Sequence, residues 1–405
     1  MIGGDVLRVA LGAMLSHKLR SFLNLLGIII AVTTIIAVIS VVLGLNRYAA
    51  DVIGQLGPNT MIFSKFGIIT GRQAFLEALK RKNYTTDDVA AVRRLVPAAR
   101  RVTGRVFTQT AVYAAGHRLA NTAVLGSGPE LPWMVGMEIA DGRTFTEDEA
   151  RAARAVAVIG FDVKDELFPN VDPIGRLMKV GGKPFRVVGT LARQGNAFGQ
   201  SQDQVVLVPL TAFQRTFGRR ASVDIFVEAP DAGSRRRVED AVRTVLRARR
   251  NTPFSAPDPF GVVDAEALQA FWRSFTFSAF ALVVWISAIS LVVGGVAIAN
   301  TMFASVVERT REIGVRRAMG ARRRDIRRQF ILEAVALSFA GGLAGVALGW
   351  LASAAVAHWS PFPARVTVPL VSAALGIASL SGLLAGWLPS VRAARLDPIV
   401  ALREE

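Results

Sequence analysis

The chain has 405 residues, 52% of them hydrophobic, a mean hydropathy of +0.39, and a formal charge of +17 from 48 basic and 31 acidic residues. That apolar content excludes an ordinary soluble protein, and the absence of cysteine excludes disulfides and thiolate metal sites. The basic balance fits nucleic acid, anionic lipid or the positive-inside bias of membrane proteins.

The first predicted element, at 1–20, is an amphipathic helix. Val6, Leu7, Ala10, Leu11, Met14 and Leu15 recur at helical spacing, which suits the inner leaflet surface; an extension of the next helix is the alternative. Ser21–Leu45 carries no charge and is long enough to span a bilayer. It exceeds the 7–15 residues of a signal h-region, and no small-residue cleavage site follows it.

Residues 46–274 predict a large α/β domain outside the membrane. AVAVIG (Ala155–Gly160) reads as a strand, FDVKDELF as a short helix and NVDPIG as a turn. RLMKVGGKPFRVVGTLAR reads as a hairpin about Gly181–Gly182. VVLVPL and VDIFVEA are strands, TAFQRTFG is a helix, and DAGSRRRVEDAVRTVLRARR is a basic amphipathic helix. The alternation predicts α+β modules with partly open sheets. Glu147, Asp148 and Glu149 fit the first turn of a helix better than a catalytic pair.

Ala265–Phe275 runs helically into a second span at 275–307. At about 1.5 Å per residue that span alone is roughly 50 Å long, more than the hydrocarbon core. A third span covers 330–357, a short loop 358–365, a fourth span 366–391 and a tail 392–405. The predicted fold class is therefore an α+β membrane protein, with four transmembrane helices and a mixed α/β domain between the first two. Arg8, Lys18 and Arg20, nine arginines between spans two and three, and Arg392, Arg395 and Arg403 place both termini and the basic loop in the cytoplasm. Arg365 is the only basic residue of the loop between spans three and four.

No P-loop, zincin, nucleophile-elbow or paired-cysteine motif is present, so no catalytic or metal site is predicted. His17, His117 and His358 share no ligand spacing. Gly341, Gly345 and Gly349 in span three, and Gly382 and Gly386 in span four, carry the small-xxx-small spacing of close helix packing in lipid. Packing within the chain is expected for span three; a second copy is the alternative. Glu333, one turn inside span three, reads as an interfacial ion pair with Arg327–Arg328 rather than a proton relay.

The loop at 308–329 is more than an anchor. Glu312–Arg316 is an i,i+4 pair with the acid first, Glu308–Arg311 is an i,i+3 pair, and Gly320 is placed to stop the helix. Ile313 and Met319 offer apolar contacts among the charges. A topological anchor needs none of this, so a structured docking surface is expected. No stacking aromatics are interleaved, which argues against nucleic acid.

The stretch ISAISLVVGGVAIANTMFASVVERTREIGVRRAMGARRRDIRRQFILEAVALSFAGGLAGVALG resembles the permease core of MacB/FtsX/LolC-type ABC transporters. HKLRSFLNLLGIIIAVTTIIAVISV is similar to their first span, LPSVRAARLDPIVALREE to their terminal signature, and VAVIGFDVKDELFPNVDPIGRLMKVGGKPFRVVGTL to their periplasmic core domain. The resemblance implies a permease of the bacterial inner membrane that works as a dimer, with an identical or paralogous second copy. It implies a coupling helix gripped by an ABC ATPase subunit, carried here by Glu308, Arg309, Glu312, Ile313, Gly314, Arg316, Arg317, Met319 and Gly320. ATP and magnesium would sit on that partner, with no cofactor in this chain. Motion would pass along spans one and two to the outer face, the mechanism called mechanotransmission, with a periplasmic adaptor as a further partner. The family's macrolide exporter fuses its ATPase at the N-terminus; with span one starting near residue 21, a separate ATPase chain is expected here. Efflux is the expected role, with lipoprotein release or control of cell-wall hydrolases as alternatives. The other class of reading is a membrane-anchored binding or regulatory protein with no ATPase partner.

Overall fold

The computed structural model describes residues 18–55, 57, 59–69, 71–197, 200–359, 364–397 and 401. The surface helix expected at 1–20 lies almost wholly outside them, as do parts of the 358–365 loop and of the tail. Residues 49–273 form one compact unit; the flanking segments, up to Tyr48 and from Ser274 onward, form another.

The chain leaves helix α1 (Lys18–Gln55) and enters the domain at β1 (Thr60–Ser64), followed by α2 (Arg72–Lys80) and α3 (Thr86–Leu95). β2 (Arg101–Ala114) and β3 (His117–Ser127) form a long hairpin, then come α4 (Leu131–Met134), β4 (Ile139–Gly142), α5 (Glu147–Arg151), β5 (Val156–Ile159) and α6 (Phe161–Leu167). β6 (Leu177–Val180), β7 (Lys183–Leu191), β8 (Asn196–Ala197), β9 (Gln200–Ser201), β10 (Val205–Pro209) and α7 (Leu210–Phe217) follow. β11 (Asp224–Glu228), α8 (Arg235–Arg249) and β12 (Gly261–Asp264) complete the domain.

The main sheet makes two joined arrangements, with β4 added on β7, while β8 and β9 pair separately. β12, β1, β11 and β2 form an antiparallel sheet, covered by α3 and α8 over a core of Phe63, Tyr84, Val92, Ile225, Val242 and Leu246. β2, β3, β10, β5, β7 and β6 close on themselves, because β6 pairs with both β7 and β2 (Val112↔Val180, Tyr113↔Lys179). The expected open sheets therefore hold for the first group, while the second is a closed barrel. Closure removes free strand edges. AVAVIG and VVLVPL do not alternate because their strands are buried on both faces: Ala157, Ile159, Val206 and Val208 enter one core, and Val156, Val158, Val205 and Leu207 another.

The acidic cluster heads α5. Thr146 and Glu149 form a reciprocal capping box, and Arg143 donates two hydrogen bonds of 2.8 Å to the Glu149 carboxylate. Those bonds, chiefly Arg143's, hold the Glu149 carboxyl down at about 2. Its stabilising contribution is therefore complete above its ordinary value of 4.5 and lost as pH falls towards 2. Glu149→Gln should cost about 1 kcal/mol at neutral pH and flatten the acid limb of a thermal-stability profile; an unchanged limb would contradict this.

Among the described residues four helices are long and apolar enough to cross a membrane: α1, α9 (Ala265–Glu308), α11 (Arg323–Trp359) and α12 (Val368–Arg395). The 44-residue α9 takes up both Ala265–Phe275 and the second span in one unbroken helix. Glycines set the helix spacing. A Cβ on Gly27 of α1 would lie 2.7 Å from Gly294 Cα of α9. Along α11, a Cβ on Gly341, Gly345 or Gly349 would meet Leu25 and Ile28, Val32, or Ile36 of α1. Gly382 and Gly386 of α12 pack on Ser338 and Ala334 of α11. Thr33 Oγ1 donates to Gly345 O at 3.2 Å, and the Ser40 and Ser353 hydroxyls pair at 2.6 Å, so each polar group finds a partner in the α1–α11 seam. Gly345→Ala would set a methyl 2.7 Å from Val32 Cβ and should lower stability by about 1–3 kcal/mol. Gly376→Ala, facing open space, should be neutral or slightly stabilising. Equal thermal midpoints for the two variants in detergent would refute the seam.

Candidate functional site

The basic segment between the second and third spans folds as a short helix, α10 (Thr310–Ala318), set between two breaks. α9 ends at Glu308, and Arg309 leaves helical geometry at φ −105°, ψ 17°. The helix expected to run from Glu308 thus begins two residues later. At its far end Gly320 adopts φ +98°, where a side chain would be strained. Gly320 N donates to Arg317 O at 3.1 Å and Ala321 N to Arg316 O at 3.1 Å, the bond pair of a Schellman stop. α11 restarts after Arg322, whose N–H is taken by Asp325 Oδ2 at 3.1 Å.

The residues singled out from the sequence divide between two faces. Ile313, 3% exposed, and Gly314 are buried; Ile313 belongs to a cluster with Met302, Val306, Ile326, Phe330 and Ala393. Two arginines brace the helix against α11. Arg309 Nη1 lies 3.3 Å from Glu333 Oε1, and Arg316 Nη1 donates to Gln329 Oε1 at 2.8 Å while also pairing with Glu312. Arg317 is half-buried, and its Nε has no protein acceptor among the described residues. Glu308 and Glu312 are exposed.

The outward face carries Val315, at 40% exposure, and Met319, at 77%, with Val307 exposed beside the break. Arg311, Arg322, Arg323, Arg324 and Arg328 are exposed as well. The surface is cationic with apolar knobs on it, held in shape by a buried contact, two braces and a glycine stop. Nothing in it suits bond-making chemistry; its composition suits docking, where Met and Arg are favoured.

Glu333 takes a different partner from the one expected. Arg327 and Arg328 precede it by six and five residues, off its helical face. Arg327 instead sits over the Trp387 ring at 5.5 Å, and Arg309 reaches Glu333 from across the loop. Gln329 and Trp387 have no sequence signal as partners, because their roles rest on contacts between segments distant in sequence.

A family model described as MacB-like periplasmic core domain matches residues 21–245, and one described as FtsX-like permease C-terminal matches 284–398. The macrolide export ATP-binding/permease proteins MacB of Bdellovibrio bacteriovorus and Azoarcus sp. are 34% and 36% identical over 96% and 99% of the chain. The chain spans 60% of the length of either relative. The crystal structure of the periplasmic region of MacB from Actinobacillus actinomycetemcomitans is 18% identical, with 55% of this chain and 95% of that one covered at a TM-score of 0.46.

Proposed function

The chain belongs to the MacB/FtsX-type permeases, with a MacB-like periplasmic core domain and an FtsX-like C-terminal region, and from that premise we propose that it couples ATP hydrolysis on an ABC ATPase to movement of its outer domain. The ATP-binding part of its relatives lies outside this chain, so nucleotide and magnesium belong to that ATPase. The observation carrying the proposal is the braced helix α10, with Met319 and Val315 exposed among arginines. A topological anchor has no use for a stopped, pinned helix. A partner that pushes on the membrane helices needs a stiff handle.

In this reading α10 is the coupling helix, lying in the cytoplasm with both chain termini, and the membrane is the bacterial inner membrane. The unbroken α9 carries the displacement by mechanotransmission. Two copies, identical or paralogous, form the working unit, and a periplasmic adaptor completes an export route. Efflux follows from the relatives named as macrolide exporters; lipoprotein release and hydrolase control use the same coupling.

The test is affinity purification of the full chain from membranes. An ABC ATPase should co-purify, and its hydrolysis should depend on the chain. Recovery of no ATPase, with charge reversal at Arg316 and Arg317 leaving cellular activity intact, would overturn the proposal. That result would favour a membrane-anchored binding protein. An adaptor in the purified complex supports efflux, and a lipoprotein supports release.

A further inference from the structure

The unit at 49–273 contains a cavity of about 540 Å³, within the range of small-molecule sites. Its lining is mainly apolar. Ile53 comes from the last turn of α1, Leu131 and Met137 from α4 and the loop after it, and Leu268, Phe271 and Trp272 from the first turns of α9. Gln194, Ser201, Gln202 and Gln204 add polar groups to the lining.

Among the described residues one ionic side chain lines the cavity, and it is cationic. Arg105 of β2 stacks over the Phe226 ring at 4.6 Å and gives one hydrogen bond of 3.0 Å to Asp224. Its Nε is buried and has no acceptor among the described residues. A buried guanidinium N–H left unpaired costs free energy, and a ligand oxygen would relieve it. An apolar chamber beside one incompletely paired arginine is built for a molecule with an apolar body and a single anionic head. Its walls include the ends of α1 and α9, helices whose other parts are apolar enough to span a bilayer, so a molecule concentrated in lipid is the natural occupant.

We propose that this cavity binds an anionic amphiphile, its apolar body against Leu268, Phe271 and Trp272 and its head group at Arg105. The inference does not depend on the coupling proposal: loss of ATPase binding would leave it standing, and an empty cavity would leave coupling standing.

The cysteine-free chain offers a direct test. In full-length protein in phosphatidylcholine nanodiscs, the rate of maleimide labelling is measured for Leu268→Cys and for Phe254→Cys, a fully exposed position outside the cavity. Oleate and deoxycholate are the probes, the first a lipid-type chain and the second a compact amphiphile. At least one should slow labelling at 268 about tenfold and leave 254 unchanged; which one acts identifies the source class. Arg105→Gln combined with Asp224→Asn removes both charges and should abolish the protection. Gln202→Glu adds an anion to the cavity lining, should weaken the protection by repelling an anionic occupant, and serves if the paired variant does not fold. Absence of protection by either probe, equal protection at 254, or protection unchanged by Gln202→Glu overturns the proposal.

Discussion

Met319→Asp is expected to abolish recovery of an ABC ATPase with the chain while leaving the chain's thermal midpoint unchanged. Met319 is 77% exposed, directly after the last turn of α10, so the variant breaks no internal packing. In the proposed complex its flexible thioether chain fills a partner's cleft, and a carboxylate there would be buried without a guaranteed partner. Loss of a central interface contact costs about 2 kcal/mol or more, roughly thirtyfold in affinity. Ile313→Ala is the contrasting variant. Ile313 is buried beneath the same helix, and truncation should lower stability by about 2–4 kcal/mol. If Met319→Asp retains full ATPase binding, the outward face of α10 is not the docking surface.

Arg309→Ala should destabilise the protein by about 3 kcal/mol or more, because it leaves Glu333 buried without its cation. The Glu333 side chain is 12% exposed, and Arg309 is its cationic partner across the loop. Combining the change with Glu333→Gln removes the orphan charge and should restore most of the loss. This cycle, read by thermal unfolding in detergent, separates a brace from a proton relay. A brace predicts that Glu333→Gln alone retains ATP-driven activity, and a relay predicts that it does not. Failure of the double variant to recover stability would mean that the pair does not brace the segment.

The four spans, the outer domain's later strands and the Gly320 stop were legible because each rests on local chemistry: uncharged apolar runs, turn residues and a glycine at a positive φ. The hairpin of β2 and β3 has no such local signal. Arg, Thr and Gln interrupt RVTGRVFTQTAVYA, and its pairing with β11 and β6 joins residues more than sixty positions apart. Barrel closure was illegible for the same reason, since it depends on the Val112↔Val180 pairing. At the candidate site, the residue types were apparent but their division was not. Sequence placed Ile313, Gly314, Arg316 and Met319 together as one contact set. The fold turns Ile313 and Gly314 inward, commits Arg316 to Gln329, and leaves Met319 outside.

The fourteen residues of β2 serve both halves of the outer domain. Arg101 to Arg105 pair with β11 of the four-stranded sheet, Val112 and Tyr113 pair with β6 of the barrel, and β3 pairs along it from Arg105 to Ala114. Val102 packs in one core, while Val106, Val112 and Ala114 pack in the other. Neither half can lose its core without stripping partners from the strand that completes the other. The domain should therefore melt in a single cooperative transition, and a force applied at either half is borne by both.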